Sequence, residues 1–358
     1  MKRIQTIQGY RAILFITIFL FHAHFFIENT WINKHVFEGG GAQAVSCFFV
    51  LSGFVAALSG TKNRVTSLKQ YLQVCKSRYC KFLIYHIPFL IASCIVFWRG
   101  FFIEDTKHAV ECFILNILLL QSWVSSKDVC LSFNGVAWYL STVLFLYCLN
   151  PFFEKIFYAI NKSGFRNKWN ILVIIFCCGF AVVIAILCDD KAADYFLYFF
   201  PPTRILDYLA GYAAGKIYLN REISDNKDKK VIDFVVSMTI CVVYIVLLMI
   251  NIELPNSIRT QCIYIPFAVV TTYFVALNRG YIGKFLSLPM MIKLGNNTLY
   301  YFLSHQFILY CIYEIFKRLP LQNYYVGVVC MVAAFFITIC SKYIVDWILT
   351  HLNYQSKK

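Results

Sequence analysis

The chain has 358 residues, 60% of them hydrophobic and 14% charged, with a mean hydropathy of +0.65 and a net charge of +15. Soluble domains carry about 25% charged residues, so the composition excludes an ordinary soluble domain and indicates a polytopic membrane protein. The basic excess sits mainly in loops between apolar runs, where cytoplasmic Lys and Arg collect, so it points to topology and not to nucleic acid.

Apolar segments lie near 10–29, 41–59, 82–103, 109–124, 136–159, 170–188, 194–219, 232–251, 259–277, 297–316 and 324–349, eleven in all. The first is too long and too close to the start for a cleaved signal, and no small-residue cleavage site follows it. It is expected to be a retained helix. The stretch 61–81 holds Lys62, Arg64, Lys69, Lys76, Arg78 and Lys81 and no acid. It is expected to be cytoplasmic, as are Lys2 and Arg3, the loop with Lys162, Arg166 and Lys168, the loop with Arg221, Lys227, Lys229 and Lys230, the turn with Arg279 and Lys284, and the final Lys357 and Lys358. For all of these to share one side, 82–124 and 136–159 must together cross twice. One of the two apolar runs in 82–124 then falls short of spanning or is re-entrant. The expected fold is all-α: a polytopic transmembrane bundle of about ten spans with both termini cytoplasmic, forming one integral-membrane domain over 1–358 with no soluble domain. Its short loops confine chemistry to the bundle or its edges. Fifteen cysteines, an odd number, include Cys94, Cys112, Cys177, Cys178, Cys330 and Cys340 in apolar runs, and no pair has zinc-ligand spacing. Neither a disulfide framework nor a metal is expected.

Polar side chains inside apolar runs are the functional candidates. In "GYRAILFITIFLFHAHFFI", Arg11 and His22 are eleven residues apart, about 1100° of helix, so they share one face at roughly 16 Å separation. His24, about 200° further round, falls nearly opposite. Arg11 is either a snorkelling anchor or a functional cation, and His22 either a packed histidine or a reacting one. The next segment, "EGGGAQAVSCFFVLSGF", places Gly39, Gly40 and Gly41 where another chain or a ligand could approach. Ser52 and Gly53 sit within that span, Gly53 suited to close packing. Arg78 and Lys81 share a helix face at a membrane edge, fit for an anionic lipid head group or nucleotide phosphates. Trp138 and Tyr139 begin a span, where an interfacial aromatic anchor is expected. Arg204 and Asp207, three apart, can pair as structural glue or as part of a site. His305, with Tyr301 one turn earlier, is a second intramembrane histidine fit for acid–base or hydrogen-bond work.

Taken in order, these stretches resemble the acyltransferase 3 family of integral-membrane O-acyltransferases, over nearly the whole chain. The family's Arg, ten residues and His match Arg11 and His22. Its "FFvlSGf" block matches Phe48, Phe49, Val50, Leu51, Ser52, Gly53 and Phe54. Its Arg-x-x-Arg looks like Arg78 and Lys81, its Trp-x-Leu-Ser like Trp138, Leu140 and Ser141, and its Arg, acid and Gly like Arg204, Asp207 and Gly211. Its late block looks like Leu294, Gly295, Thr298, Leu299, Tyr301, Leu303 and His305. Three positions depart: Val143 stands near a common Glu, Pro88 lies a turn beyond the usual Pro, and Asp346-Trp347 replaces a Glu-Pro.

The resemblance implies transfer of acetyl from acetyl-CoA, a co-substrate and not a bound cofactor, to a hydroxyl of a cell-envelope glycan or lipid-linked glycan. It also implies a multi-pass protein of the inner or plasma membrane, with membrane lipids around it and no nucleic acid partner. His22 would be the general base or a transient acyl carrier. Arg11 would orient the donor, neutralise phosphate or stabilise an oxyanion. Arg78 and Lys81 would grip CoA phosphates. Ser52, Gly53, Phe48, Phe49, Trp138, Arg204, Asp207, Tyr301 and His305 would support the cavity. A transporter or flippase of lipid-linked saccharides would also need intramembrane charge, but inverted repeats with broken helices are not visible. A receptor or scaffold gives no reason for an Arg and a His on one face.

Overall fold

An apolar run in hydrocarbon must satisfy its own backbone, so runs of this length fold as helices. The computed structural model describes residues 4–355 without 28–29, 61–64, 66, 104, 163–164, 222–229 and 322, and every regular element among them is helical. Lys2, Arg3, Lys62, Arg64, Lys227, Lys229, Lys357 and Lys358 lie outside the described residues.

Eleven principal helices follow the eleven apolar runs in order. They are α1 (Gln5–His22), α2 (Gly40–Ser59), α3 (Leu68–Val96), α4 (Thr106–Leu118), α5 (Trp138–Asn161), α6 (Arg166–Leu187), α7 (Ile205–Asn220), α8 (Lys230–Ile250), α9 (Tyr264–Leu277), α10 (Thr298–Phe316) and α11 (Tyr324–Gln355). Side-chain caps start two of them: Ser67 accepts from Gln70 N at 3.3 Å and Asp105 from His108 N at 3.0 Å. Leu119, at φ 54°, closes α4 in the left-handed region.

Seven described stretches are long and apolar enough to cross a membrane: Asn33–Ser59, Leu68–Val96, Gly135–Ile160, Asn167–Leu187, Lys230–Ile250, Asn256–Leu277 and Tyr324–Trp347. α4, at 13 residues, is about 20 Å long against a hydrocarbon core of about 30 Å. It is the shorter partner of the two runs in 82–124. Large apolar side chains on α6 and α11 are exposed, among them Ile175, Ile186 and Phe336, as expected of a lipid face. α2, α7 and α9 form the buried centre.

Small residues set the closest helix crossing. A Cβ on Gly53 of α2 would lie 1.9 Å from the Tyr208 carbonyl oxygen, and one on Gly211 of α7 would lie 1.9 Å from the Val50 carbonyl oxygen. The two backbones therefore touch directly. The glycines at 39–41 are approached by the protein itself, by Leu248, Thr17 and Phe21 respectively. They serve packing in place of the open approach that the sequence allowed.

Two further expectations change. Trp138 is not an interfacial anchor; it is 5% exposed, packed against Tyr198 at 4.9 Å and Phe199 at 5.0 Å between ring centroids. The 100° arithmetic also stops at His22, because α1 ends there and His24 begins a tight turn over His24–Phe26. Its Nδ1 lies 2.8 Å from the Phe21 carbonyl oxygen.

Candidate active site

Arg11 enters the site from the first half of α1. It is half-buried, and its Nη1 donates to Gln8 Oε1 at 3.3 Å. It lines a cavity of about 680 Å³. The same cavity is lined by Phe48 and Ser52 of α2, Arg78 and Lys81 of α3, Tyr139 and Tyr147 of α5, and Thr298 and Phe302 of α10. Arg78 and Lys81 are exposed at its mouth, and the Arg78 guanidinium lies over the Tyr147 ring at 5.1 Å. That stacking holds the cation toward the opening. The Ser52 and Tyr139 hydroxyls lie 3.4 Å apart on the wall.

The cavity takes its lining from the C-terminal half of α2, the length of α5 from Tyr139 to Tyr158, the N-terminal parts of α3 and α10, and Lys342 of α11. It contains further polar groups that sequence reasoning passed over. Lys342 of α11 lines it, pairs with Asp346 and lies 5.6 Å from the Tyr300 ring centroid. Its i, i+4 acid inside the last apolar run was the available signal. Glu154 of α5 lines it too, held by Lys216 Nζ at 2.8 Å and by the Tyr212 hydroxyl. Glu154 and Lys216 come from helices 62 residues apart, so no local spacing betrays them.

His22 and His305 lie beyond the inner wall. Phe302 lines the cavity, and its ring is 5.4 Å from Tyr139 and 5.9 Å from His305. His305 is fully buried, with Phe15 at 5.8 Å, Phe19 at 6.2 Å and His22 at 5.2 Å between ring centroids. The structure thus joins the histidine of α1 to the histidine of α10. Tyr301 contributes its carbonyl, which lies 3.1 Å from His305 Nδ1, while its ring packs on Phe15 at 5.6 Å.

The remaining candidates form a separate packed group. Arg204 and Asp207 are both 0% exposed and pair at 3.4 Å. Arg204 also donates to the Tyr198 carbonyl at 3.0 Å, to Ser46 Oγ at 3.2 Å and to the Thr260 carbonyl at 3.3 Å, with its guanidinium 5.4 Å from the Phe49 ring. Gln261 Nε2 donates to Asp207 at 2.6 Å. A guanidinium so fully engaged ties α2, α7 and the turn before α9 together. Like Trp138, Phe49 and Gly53, it lies outside the cavity lining.

A family model described as an acyltransferase domain matches residues 4–347. The chain is similar to acyltransferase MdmB of Streptomyces mycarofaciens, with 26% identity over 196 residues, covering 49% of this chain and 46% of that protein. The match therefore spans about half the length of that relative. No solved structure matches.

Proposed function

The chain belongs to the acyltransferase domain family and is a multi-pass membrane acyltransferase, and from that premise we propose that it moves acetyl from acetyl-CoA to a sugar hydroxyl of a cell-surface polysaccharide such as O-antigen, capsule or exopolysaccharide. The observation that carries the donor assignment is one cavity lined by Arg11, Arg78 and Lys81 from two helices. One of its lining residues, Phe302, packs against His305 at 5.9 Å between ring centroids. Exposed cations lining a cavity suit a nucleotide's phosphates. The sugar acceptor rests on the family resemblance.

In this reading His22 takes the proton of the acceptor hydroxyl. The oxygen attacks the thioester carbonyl carbon, the C–S bond breaks, and the proton passes to the departing CoA thiolate. Arg11 stands roughly 16 Å of helix from His22, too far for both to touch one reacting carbonyl. Its place beside the cavity favours orienting the donor over stabilising the oxyanion. Arg204 and Asp207 hold the bundle together.

The same reading has ten spans, both ends cytoplasmic, in the inner or plasma membrane. α4 is too short to cross. The cavity then opens to the cytoplasm, where acetyl-CoA is found.

The test is CoA release and acetyl transfer by the purified protein in lipid nanodiscs, paired with the glycan of a deletion strain. Acetyl-CoA turnover that needs His22, together with loss of glycan O-acetyl signals, is the expected result. Full turnover by His22→Ala at unchanged membrane level overturns the base assignment, and an unaltered glycan overturns the acceptor.

A further inference from the structure

His305 is fixed in one tautomer by its own helix. Its Nδ1 lies 2.7 Å from the Phe302 carbonyl oxygen and 3.1 Å from that of Tyr301. Carbonyl oxygens only accept, so Nδ1 carries the proton and the neutral ring keeps a bare lone pair on Nε2. That Nε2 is buried and, with the His22 ring oriented as it stands, has no hydrogen-bond partner among the described residues. A buried acceptor left unmatched is costly, and its persistence calls for an explanation. The rings packed around His305 are Phe15, Phe19 and Phe302, which offer nothing to an acceptor, and His22, which does. The ring centroids of His22 and His305 are 5.2 Å apart. Two imidazole nitrogens turned toward each other across that gap would be about 3 Å apart, a hydrogen-bond distance.

We propose that His305 is the positioning residue of the transfer: its Nε2 accepts a hydrogen bond from His22, orienting that ring and holding its N–H while the other His22 nitrogen takes the proton of the acceptor hydroxyl. The inference rests on the reading of His22 as the base. Once its ring turns to His305, His22 gives that residue its single N–H and directs its lone pair outward. When it becomes an imidazolium, both nitrogens donate. The new proton is then passed to the CoA thiolate, and the first stays on His22, hydrogen-bonded to His305. No charge is transferred to His305, so its Nδ1–H bonds to the helix carbonyls persist throughout. The apolar cage around His305 keeps water from its Nε2 and strengthens the bond.

Turnover in nanodiscs by His305→Leu and His305→Gln separates this role from packing. Leu fills the space without an acceptor, and Gln brings a side-chain carbonyl. The Leu variant is expected to lose about tenfold or more in kcat with KM for acetyl-CoA unchanged. The Gln variant should recover a measurable part of that loss. In a His22→Ala background, His305→Leu should cost nothing further, because the two act as a unit. Full kcat in the Leu variant, equal losses in Leu and Gln, or an additive loss in the double variant overturns the proposal while leaving His22 as base. Wild-type turnover by His22→Ala overturns both. Should the Leu variant fail to accumulate, nitrogen-15 NMR of the histidine-labelled wild type decides. An Nδ1-protonated His305 whose Nε2 signal moves on His22→Ala upholds the proposal, and an Nε2-protonated His305 overturns it.

Discussion

Phe302 and His305 lie on the same stretch of α10 with ring centroids 5.9 Å apart, and Phe302 faces the cavity that His305 does not reach. One aromatic ring thus separates the space suited to the donor from the histidines suited to chemistry. Its size should limit what passes. Phe302→Ala is expected to raise the rate with propionyl-CoA and butyryl-CoA relative to acetyl-CoA. Competition assays with mixed donors measure this, and an unchanged ratio would show that the ring does not limit the acyl group.

His24 is the internal control for His22. The two lie two residues apart, yet His22 packs on His305, whereas His24 turns its Nδ1 to the Phe21 carbonyl. Removing a general base costs about 10²–10⁴ in rate. His22→Ala should therefore fall by that order, and His24→Ala should stay within a few-fold of wild type. Comparable losses in both would place the chemistry elsewhere.

The eleven helices and the shortness of α4 were legible in the sequence because hydropathy acts locally. So was the shared face of Arg11 and His22, since both sit in one unbroken helix. What escaped depended on other helices. Trp138 begins a span, as interfacial anchors do, but is enclosed by Tyr198 and Phe199 from sixty residues away. Glu154 and Lys216 meet only when α5 and α7 pack. The link from His22 to His305 is likewise tertiary, and the family resemblance named both residues without joining them.

Arg78 and Lys81 should contribute to donor binding more than to chemistry. Both are exposed at the cavity mouth, and Arg78 is stacked on Tyr147. Arg78→Ala is expected to raise KM for acetyl-CoA about tenfold with a smaller effect on kcat. Arg78→Lys should recover only part, since an ammonium keeps the charge but loses the planar stack. Raised salt should weaken donor binding in the wild type and less so in Arg78→Ala. A kcat loss that saturating acetyl-CoA does not restore would contradict a simple binding role.

The α2–α7 crossing should tolerate no side chain. Gly53→Ala places a Cβ against the Tyr208 carbonyl, where the obstacle is rigid backbone. Overpacking of this kind costs about 1–3 kcal/mol. A lower melting temperature in detergent is expected, along with reduced turnover from displacement of the neighbouring Ser52. A variant as stable as wild type would mean the crossing can open.

Arg204 and Asp207 supply the sharpest distinction between glue and chemistry. Both are wholly buried, and the cavity lining includes neither. Removing one partner of a buried pair leaves an uncompensated charge, at a cost of about 3–5 kcal/mol, whereas replacing both with apolar side chains of similar volume is often neutral. Arg204→Met should therefore collapse membrane accumulation by leaving Asp207 facing Gln261 without its cation. Asp207→Leu should do the same by stranding the guanidinium. The double variant Arg204→Met/Asp207→Leu should accumulate better than either single variant and retain transferase activity per folded molecule. Fluorescence-detected size exclusion measures the folded fraction, and CoA release divided by that fraction measures activity. If the double variant folds but does not turn over, the pair has a role in the reaction beyond holding helices together.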